Sequence, residues 1–522
     1  MEMVRSRLLR VAPGSLLALL LPLMVLLSPD YGVTWDERPR QAYGERVWEF
    51  YEGRVQLDRF QTDRTGGHLY GALFDLTAVA LEKVIPLDRY VVRHALNAVF
   101  GWLGIVGCYA LATRLGGPFA GLLALVLLAV TPRYWGDAMN NPKDLPFATC
   151  ATAALVVMAG IPARYPFLTI GRALALGSSI GLALSVRPGG LLFVAYAGVV
   201  VAVQVARSAD RAPRHLLVTA GLFVLAAVVA TTVPLPFWPW LQQRPYVGLV
   251  EALAGVSNFG WRGTTTFEGA DVFATQLPWT YVPTWLLYTT PIVTLVGVLL
   301  AGVALVRPSS YRVGAWGLVA AVLFPVVYVI AKQSTLYDGV RHLLFIVPPI
   351  AALAALGWRA AFEAPPAARL FVAAALMTGL AEPIGFSIRN HPNQAVYFNP
   401  LLGGPRHAVG RFELDYWGNC IYQAQRHVAA MAIRAGMPIT VSGARWRIMM
   451  LNRGRIPQLV VTRPEAGRHH LEVVLLRGSR EQVRTQSQRS DLVDRIETAD
   501  GAVLCTIAPG PGYAELAARL RR

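Results

Sequence analysis

Charged residues are scarce in this chain, and lysine is nearly absent from it. Only 15% of the 522 residues are Asp, Glu, Lys or Arg, whereas a soluble globular protein carries about a quarter. Hydrophobic residues make up 54% of the chain, and the mean hydropathy is +0.44. This composition excludes an ordinary soluble domain and predicts a polytopic membrane protein within a lipid bilayer.

Arginine carries almost all of the positive charge. The lysines are Lys83, Lys143 and Lys332, and the formal net charge is +17. From residue 389 onward the chain has 19 arginines against 10 acidic residues. Such a surplus favours a surface that faces anionic lipid headgroups or acidic glycans. Because the sequence carries no nucleic-acid-binding motif, we expect no nucleic-acid partner.

The four cysteines are too few and too dispersed to predict a metal site. Cys108 and Cys150 lie in apolar runs and are interpreted as small buried side chains, while Cys420 and Cys505 lie near the end of the chain. A disulfide between the last two is possible in an oxidising compartment, and the sequence leaves their pairing open.

We predict eleven apolar spans, several of them shorter than the roughly 20 residues that a full crossing needs. The first is expected to be a retained helix, since no convincing small-residue cleavage site follows it. The spans cover residues 11–28, 90–113, 117–132, 144–161, 170–185, 189–206, 215–233, 284–306, 313–331, 342–357 and 369–388.

Arginines occupy every second connection between these spans, which predicts that those connections and the N-terminus are cytoplasmic. The segments that face outward are then 29–89, 133–143, 234–283 and 332–341, within a transmembrane domain of residues 1–388. The arginines that define this pattern are Arg5, Arg7, Arg10, Arg114, Arg164, Arg172, Arg207, Arg211, Arg214, Arg307, Arg312, Arg359 and Arg369.

The remainder, residues 389–522, has the pattern of a small extracytoplasmic α/β domain. Residues 420–435 form the clearest helix pattern in it. Short β-rich runs alternate with turn-forming residues, which predicts strands. These runs lie at 439–442, 458–462, 471–476 and 502–507.

Polar and charged residues of two outward segments are the candidate site. Asp36 and Glu37 follow the first span, and Thr34 with Glu37 also has the spacing of a helix capping box. An amphipathic helix comes next, with Tyr43 and Val47 on its apolar face, and we expect it to lie flat on the outer leaflet. The second segment, residues 134–144, contains a carboxylate and an ammonium beside interfacial aromatic residues.

These motifs together resemble the GT-C class of integral membrane glycosyltransferases. The likeness is to the glycosyltransferase family 39 and protein O-mannosyltransferase-like branch, which includes the bacterial aminoarabinose transferase, and it covers residues 11–388. It is carried by Trp35-Asp36-Glu37, by Pro132 to Asp137 with Asn141-Pro142-Lys143-Asp144, and by Arg341-His342 with Pro348-Pro349.

The resemblance implies an enzyme of a bacterial-type inner membrane that moves a sugar from a polyprenyl-phosphate donor to a hydroxyl of a lipid, glycan or protein acceptor. The leaving phosphate needs cations, and the acceptor hydroxyl needs a base. Candidate bases are Asp36, with Glu37 and Asp137 as alternatives. Candidate phosphate ligands are Lys143, Arg341, His342 and Arg187, and supporting residues are Tyr134, Trp135, Asn141 and Asp144.

Each candidate also has a structural interpretation. Lys143 can simply extend from a helix end towards water, and Asp144 can simply cap the fourth span. Asp338 can simply pair with Arg341. Because the outward segments contain no Asp-x-Asp pair, we expect no metal and no other cofactor. The sugar, the polyprenyl length and the acceptor stay open.

A polytopic lipid or sugar transporter, or a flippase without transferase activity, is the alternative from another functional class. A coupled transporter typically places ionisable residues near the middle of its spans. The predicted spans are almost free of acidic residues, and the charged candidates lie at their outer ends. The sequence therefore favours the glycosyltransferase.

Overall fold

The computed structural model describes residues 2–57, 60, 67–209, 212–257, 260–306 and 312–521. Parts of the predicted outer segments 29–89 and 234–283 lie outside the described residues. The same holds for Arg211 and Arg307, which contribute to the predicted orientation.

Most of the chain up to Arg389 is helical. A 3-10 helix at Arg341–Ile346 leads into α15, and a β-hairpin, Thr264–Phe267 (β1) with Ala270–Phe273 (β2), separates α11 from α12. The helices are α1 (Glu2–Leu27), α2 (Glu37–Tyr51), α3 (Leu73–Val84), α4 (Arg89–Ala129), α5 (Pro132–Asn140), α6 (Asp144–Ala159), α7 (Ile170–Leu184), α8 (Leu191–Arg207), α9 (Pro213–Thr232), α10 (Pro239–Gln243), α11 (Val247–Ser257), α12 (Tyr281–Thr289), α13 (Ile292–Val306), α14 (Arg312–Ala331), α15 (Val347–Ala361) and α16 (Pro366–Arg389).

The centre of the bundle is α4, which packs against α1, α5, α6 and α15. It is 41 residues long and breaks at Gly117, whose φ of 81° favours glycine over residues with a side chain. Its two halves correspond to the predicted spans 90–113 and 117–132. The break before Pro118 separates the two apolar runs of this helix.

Among the described residues, seven helices are long and apolar enough to cross a membrane, or eight if a bent pair is counted as one span. The predicted number of about eleven differs because two predicted spans are the halves of α4. Two others, α6 and α7, have only 16 and 15 residues. Such lengths fall short of a full bilayer crossing.

The predicted span 284–306 is not a single helix. It is divided between α12 and α13, which meet at an angle of 112°. Pro291 lies between them and supplies no backbone N–H, which removes one helical hydrogen bond and favours the break. The bend directs α12 towards the C-terminal part of the chain, where Asn399 donates hydrogen bonds to Leu287 O and Thr290 O, both at 2.7 Å.

The apolar face of α2 is covered by protein. Tyr43 and Val47 are 2% and 0% exposed, and the ring of Tyr43 contacts that of Phe60. Since α2 packs on α3, the expectation that this face lies on the lipid leaflet is wrong. An amphipathic helix buries its apolar stripe against whichever surface is available.

The C-terminal part contains a five-stranded sheet with the order β4-β3-β5-β7-β6, parallel on the β4-β3-β5 side and antiparallel on the other. All four predicted strands and the predicted helix are confirmed. The elements are α17 (Pro405–Ala408), α18 (Asn419–Ala435), β3 (Ile439–Ser442), α19 (Trp446–Leu451), β4 (Leu459–Val461), β5 (Leu471–Leu475), α20 (Arg480–Ser487), β6 (Asp494–Glu497), β7 (Val503–Pro509) and α21 (Tyr513–Leu520).

A disulfide joins Cys420 at the start of α18 to Cys505 in β7, with a Cα–Cα distance of 5.8 Å. It answers the question that the sequence left open. The C-terminal part also contacts the end of the bundle at α5, where Asn140 Nδ2 donates to Asn419 Oδ1 at 2.8 Å. The candidate residues of both outward segments lie at this junction.

Candidate active site

Asp36 lies between two cations that come from distant parts of the chain. Its Oδ2 is 2.9 Å from Arg341 Nη1 and 3.4 Å from Lys143 Nζ. Burial raises the pKa of the Asp36 carboxyl, but the charges and hydrogen bonds of Lys143 and Arg341 outweigh burial and hold this pKa well below its ordinary value. Asp36 is therefore ionised throughout the physiological pH range.

Asp144 forms ion pairs with two cations, Arg187 and Arg341. Its Oδ1 accepts a hydrogen bond from Arg187 Nη2, and its Oδ2 is 3.3 Å from Arg341 Nη1. Asn141 donates to Asp144 Oδ2 at 3.2 Å and accepts from the Asp144 backbone N–H at 3.0 Å. Asn141 therefore fixes Asp144 at the start of α6, and Asp144 in turn orients Arg187 and Arg341.

Burial lowers the pKa of both Lys143 and Arg187, the latter to about 10. Arg187 is therefore still charged at neutral pH, and Lys143 forms an ion pair with Asp36. Together with Arg341 these residues place three cations beside Asp36 and Asp144. Closely spaced cations in a partly desolvated site are an arrangement that binds a phosphate group.

Asp137 lies one helical turn before Asn141 and has a different environment. Its Oδ1 accepts hydrogen bonds from Trp417 Nε1 at 2.9 Å and from Asn141 Nδ2 at 3.0 Å. Burial raises the pKa of Asp137, in contrast to that of Asp36. Its role in this arrangement is to connect α5 with the C-terminal part of the chain.

Glu37 is turned away from the cations. It is 1% exposed, its Oε1 is 2.9 Å from His94 Nε2, and its Oε2 accepts from the Thr34 backbone N–H at 2.6 Å. The second contact is one half of the capping box that the sequence suggests. Glu37 Oε1 thus attaches the start of α2 to His94 of α4, and Oε2 binds the segment that precedes α2.

The other three candidates, Tyr134, Trp135 and His342, make their contacts with uncharged parts of the protein. The Tyr134 hydroxyl donates to Gly101 O at 2.9 Å, and Trp135 is half-buried against the apolar core. The ring of His342 packs on the edge of Tyr337 at 4.7 Å between centroids. The structure therefore brings together Asp36, Lys143, Asp144, Arg187 and Arg341, with Asn141 and Asp137 adjacent to them.

Aromatic rings around the cations escaped the sequence analysis. The Tyr70 ring lies 5.1 Å from Lys143 Nζ and 6.0 Å from Arg187 Cζ, and Arg341 Cζ lies 4.9 Å from the rings of both Tyr337 and Trp417. Such rings stabilise cations in partly desolvated surroundings.

Asp338 pairs with Arg341, as the sequence suggests, and also with Arg477 of the C-terminal part. Its Oδ2 is 3.2 Å from Arg341 Nε, and its Oδ1 accepts from Arg477 Nη2 at 2.6 Å. Arg477 also contacts Glu413 Oε1 at 3.0 Å. An ion-pair chain thus runs from the cation cluster into the C-terminal part, and sequence analysis missed Arg477.

Two cavities meet at Arg341. The apolar cavity runs between helices and is lined by Thr131, Arg133, Tyr134, Asp137, Leu286, Thr289, Thr290, Thr294, Val340, Arg341, Leu344, Val347, Ile350, Ala351 and Tyr416. The polar cavity measures about 590 Å³, which is in the size range of small-molecule sites. It is lined by Trp35, Asp36, Trp261, Thr264, Thr266, Asp271, Tyr337, Asp338, Arg341, Glu413, Arg445, Arg477, Gly478 and Gln482.

Within the part of the chain that the structure describes, no group of three or more His, Cys, Asp or Glu side chains has the geometry to hold a metal ion. The acidic residues at the junction are instead paired with arginine, lysine or hydrogen-bond donors. The charged groups that are available for an anionic ligand are the cations around Asp36.

No protein-family model matches the chain, and no curated protein matches its sequence. Solved structures do resemble it. Crystal structures of ArnT from Cupriavidus metallidurans, one bound to undecaprenyl phosphate and one in the apo state, give TM-scores of 0.50 at 14% and 15% identity. Each alignment covers 95% of this chain and 98% of ArnT.

The apo oligosaccharyltransferase of Archaeoglobus fulgidus aligns with a TM-score of 0.46 at 11% identity, over 85% of this chain and 64% of that one. The likeness to ArnT extends over nearly the full length of both chains. It confirms the predicted fold, a polytopic helical protein with a small C-terminal sheet, and shows that this chain shares the fold of ArnT.

Proposed function

We propose that this protein is a membrane glycosyltransferase that moves a sugar from a polyprenyl-phosphate donor to a hydroxyl group of a cell-envelope acceptor. One observation carries the proposal: Asp36 is held between Lys143 and Arg341 at the point where an apolar and a polar cavity meet. The apolar cavity, the cations and the polar cavity follow one another in the same order as the apolar chain, the phosphate and the sugar of such a donor.

The donor's phosphate binds the cations around Asp36, and its polyprenyl chain leads past the apolar cavity beside Arg341. With a volume of about 40 Å³, that cavity is too small to hold the chain itself. Arg341 lines both cavities and offers a planar guanidinium that can bind two phosphate oxygens. Lys143 and Arg187 add charge beside it. The crystal structure of ArnT, whose fold this chain shares, contains undecaprenyl phosphate, which supports a donor of the same class.

Transfer requires one bond to form and one to break at the anomeric carbon of the sugar. The acceptor oxygen attacks that carbon, the bond from the carbon to the phosphate oxygen breaks, and polyprenyl phosphate leaves. Lys143, Arg187 and Arg341 stabilise the charge that develops on the leaving phosphate. Asp36, which lines the polar cavity, takes the proton of the acceptor hydroxyl.

Donor binding also changes the basicity of Asp36, through the ion pairs that Asp36 forms with Lys143 and Arg341. While Lys143 and Arg341 face Asp36, its low pKa makes it a weak base. A bound phosphate competes for the same two cations, so their hold on Asp36 weakens and its basicity rises. Donor binding therefore prepares the carboxylate that the acceptor needs.

Glu37 and Asp137 are weaker candidates for this role. Both oxygens of Glu37 are engaged with His94 and Thr34. Asp137 lines the apolar cavity and accepts hydrogen bonds from Asn141 and from Trp417, the second of which connects α5 to the C-terminal part. Of these three candidates, Asp36 is the carboxylate that faces both the cations and the polar cavity.

We further infer that the reaction takes place at the outer face of a bacterial-type inner membrane, with the N-terminus in the cytoplasm. The arginine pattern of the connections supports this orientation. The disulfide between Cys420 and Cys505 supports it independently, because such bonds persist in oxidising compartments outside the cytoplasm. The sugar and the acceptor are not specified by the site.

The decisive experiment incubates the purified, reconstituted protein with a panel of polyprenyl-phosphate sugars and measures the release of polyprenyl phosphate. We expect release with at least one donor. Asp36→Asn keeps the shape of the side chain but removes its basicity, so turnover falls by about 10²- to 10⁴-fold while donor binding is retained. Glu37→Gln is the matched control and retains most of its turnover.

Other outcomes would redirect the proposal. An active Asp36→Asn variant with an inactive Glu37→Gln variant would move the base one residue along, and full activity in both would direct attention to Asp137. If labelled donor crosses the membrane of the vesicles while its bond to the sugar stays intact with every donor and acceptor, the protein is a flippase.

A further inference from the structure

The polar cavity continues outward into a groove over the C-terminal part of the chain. A second cavity shares Trp35 and Arg445 with it, and a third shares Trp446, Arg447 and Met450 with the second. We call this the arginine–tryptophan groove and define it by Trp35, Arg38, Arg445, Trp446, Arg447 and Arg463. It leads away from Asp36 along α19 and the end of β4.

The arginines of this groove lie against aromatic rings. Arg445 Cζ is 4.5 Å from the centre of the Trp35 ring, and Trp446 has Arg447 and Arg463 at 5.2 and 5.3 Å. Stacking of this kind orients a guanidinium while leaving its edge free to accept an anion. Each of the three guanidinium groups is thus held in place beside an open cavity.

Their charge is largely uncompensated. Among the described residues, Arg445, Arg447 and Arg463 have no ion-pair partner, and Arg38 has only Glu45 at 4.0 Å. Glu465 is the acidic residue that lines the outermost cavity, and it is exposed. This contrasts with Arg341 and Arg477, which are both paired with buried carboxylates.

Two further observations indicate that a ligand supplies the missing charge. Burial and the charge of Arg477 lower the pKa of Arg445, so a bound anion would stabilise this guanidinium. The indole rings of Trp35 and Trp446 also offer flat apolar surfaces, beside Ile448, Met450 and Leu451 in the same cavity. Flat rings beside cations suit a ligand that is partly carbohydrate and partly anionic.

We propose that the arginine–tryptophan groove binds the acceptor, that this acceptor is an anionic saccharide carrying phosphate or carboxylate groups, and that the groove leads its hydroxyl to Asp36. The inference rests on the proposed function and adds the chemical class of the acceptor. The Arg447 and Arg463 side chains bind the acidic groups, the indole rings contact the sugar faces, and the reacting hydroxyl extends past Arg445 into the polar cavity.

Binding is tested first, independently of catalysis. The probes are fluorescein-labelled tetragalacturonate, its uncharged methyl ester, and a mannose oligosaccharide with and without a 6-phosphate. We expect the full-length protein to bind the charged member of at least one pair about tenfold more tightly than the neutral member, and to lose this preference at high salt. Equal affinity within both pairs would overturn the proposal.

Mutation then locates the binding site. The double variant Arg447→Ala/Arg463→Ala should bind the charged probe about tenfold more weakly, since it loses two charged contacts at the groove. Arg434→Ala/Arg468→Ala removes two exposed arginines outside the groove and should bind as the parent does. Equal weakening in the two double variants would reduce the effect to general surface charge and refute the groove.

Transfer distinguishes this proposal from the one on which it rests. With an active donor, the groove variant should show a raised KM for the acidic acceptor, while Arg434→Ala/Arg468→Ala retains the parental KM. If the parent releases no polyprenyl phosphate with any donor while charged probes still depend on the groove, the transferase proposal fails and the anionic-saccharide site stands. Transfer that is insensitive to Arg447→Ala/Arg463→Ala would refute the groove alone.

The physical source of the saccharide is settled by the same assay. The charged probe is offered free in solution and coupled to a lipid in the vesicles that carry the protein. A lower KM for the coupled form identifies a glycolipid headgroup as the acceptor, and a lower KM for the free form identifies a soluble glycan. Both results depend on the groove arginines if the inference is correct.

Discussion

A single carboxylate held by two cations is the smallest unit that explains the proposed reaction. Asp36 contacts Lys143 Nζ at 3.4 Å and Arg341 Nη1 at 2.9 Å. Arg341 also orients itself on the buried Asp144 and Asp338, so removing it takes an ion-pair partner from two further carboxylates, which then keep only Arg187 and Arg477 among the described residues. Lys143 contacts only Asp36 among the acidic groups that the structure describes, which makes it the cleaner site for mutation.

Lys143→Ala should weaken donor binding about tenfold to a hundredfold, because a contact to a charged phosphate contributes roughly 1.5 to 3 kcal/mol. The measurement is the Kd of a polyprenyl-phosphate sugar for the protein in detergent. Lys332→Ala is the matched control, since Lys332 is exposed and forms none of the contacts of the cluster. Parental affinity in Lys143→Ala would move the phosphate site elsewhere.

The same substitution should change the pH dependence of the reaction. Lys143 is the first of the charges that depress the pKa of Asp36, so removing it raises this pKa towards the ordinary value of 3.8. A base acts only when it is ionised, and kcat/KM reports the free enzyme. Activity should therefore begin to fall at a higher pH on acidification in Lys143→Ala than in the parent. Coincident acidic limbs would contradict Asp36 as the base.

The residues that sequence analysis identified are those whose charge is anomalous for their location. Lys143 and Arg341 lie at the outward ends of apolar spans, against the positive-inside pattern, and Asp36 follows the first span. Tyr70, Trp417 and Arg477 act through contacts with residues far away in the chain. An aromatic or arginine residue is unremarkable in a loop, so nothing local distinguishes these three.

At the scale of elements, the start of α2 is attached to α4 by Glu37. Removing its side chain leaves His94 Nε2 and the Thr34 N–H without their partner in a buried site. Glu37→Ala should lower the free energy of unfolding by about 1 to 3 kcal/mol, which is the cost of an unsatisfied buried polar group. Thermal unfolding in detergent measures the effect.

Glu52→Ala, just beyond the end of the same helix and exposed, should leave the Tm nearly unchanged. If Glu37→Ala has a parental Tm but lacks transferase activity, Glu37 takes part in the chemistry and the assignment of Asp36 as sole base is wrong.

The success of element prediction followed the strength of local patterns. Strands β3, β4, β5 and β7 have runs of β-branched and aliphatic residues, and all four were predicted. Strand β6, with the sequence Asp-Arg-Ile-Glu, buries only Ile496 deeply and pairs at the edge of the sheet, so it has little hydrophobic signal. The bend between α12 and α13 was missed because an apolar run gives no information about direction.

At the scale of the whole molecule, the sheet, the bundle and the hairpin enclose the polar cavity together. Asp36 comes from the segment after α1, Thr264 and Asp271 from the hairpin, and Arg445 and Arg477 from the C-terminal part. The composition predicted the membrane part and the sheet separately, but it held no information on how they meet. That meeting depends on pairs such as Trp417–Asp137, which are 280 residues apart in sequence.

This assembly implies one orientation for the chain. The C-terminal part contacts the same end of the bundle as Asp36, so both lie on one side of the membrane. A disulfide in that part favours an oxidising compartment, and the arginine pattern independently predicts a cytoplasmic N-terminus. A reporter that is active only outside the cytoplasm, fused after residue 522, should therefore be active, and the same reporter fused before residue 1 should be silent.

Thiol labelling checks the orientation without a fusion. A membrane-impermeant maleimide applied to intact cells should leave Cys420 and Cys505 unmodified in the parent, and should modify Cys505 in Cys420→Ser once the protein is unfolded by urea from the outside. A cytoplasmic signal from the C-terminal fusion, together with labelling only after the membrane is opened, would place Asp36 and the polar cavity in the cytoplasm. The donor would then have to present its sugar on the inner face, and the proposed reaction would lose its outer-face acceptor.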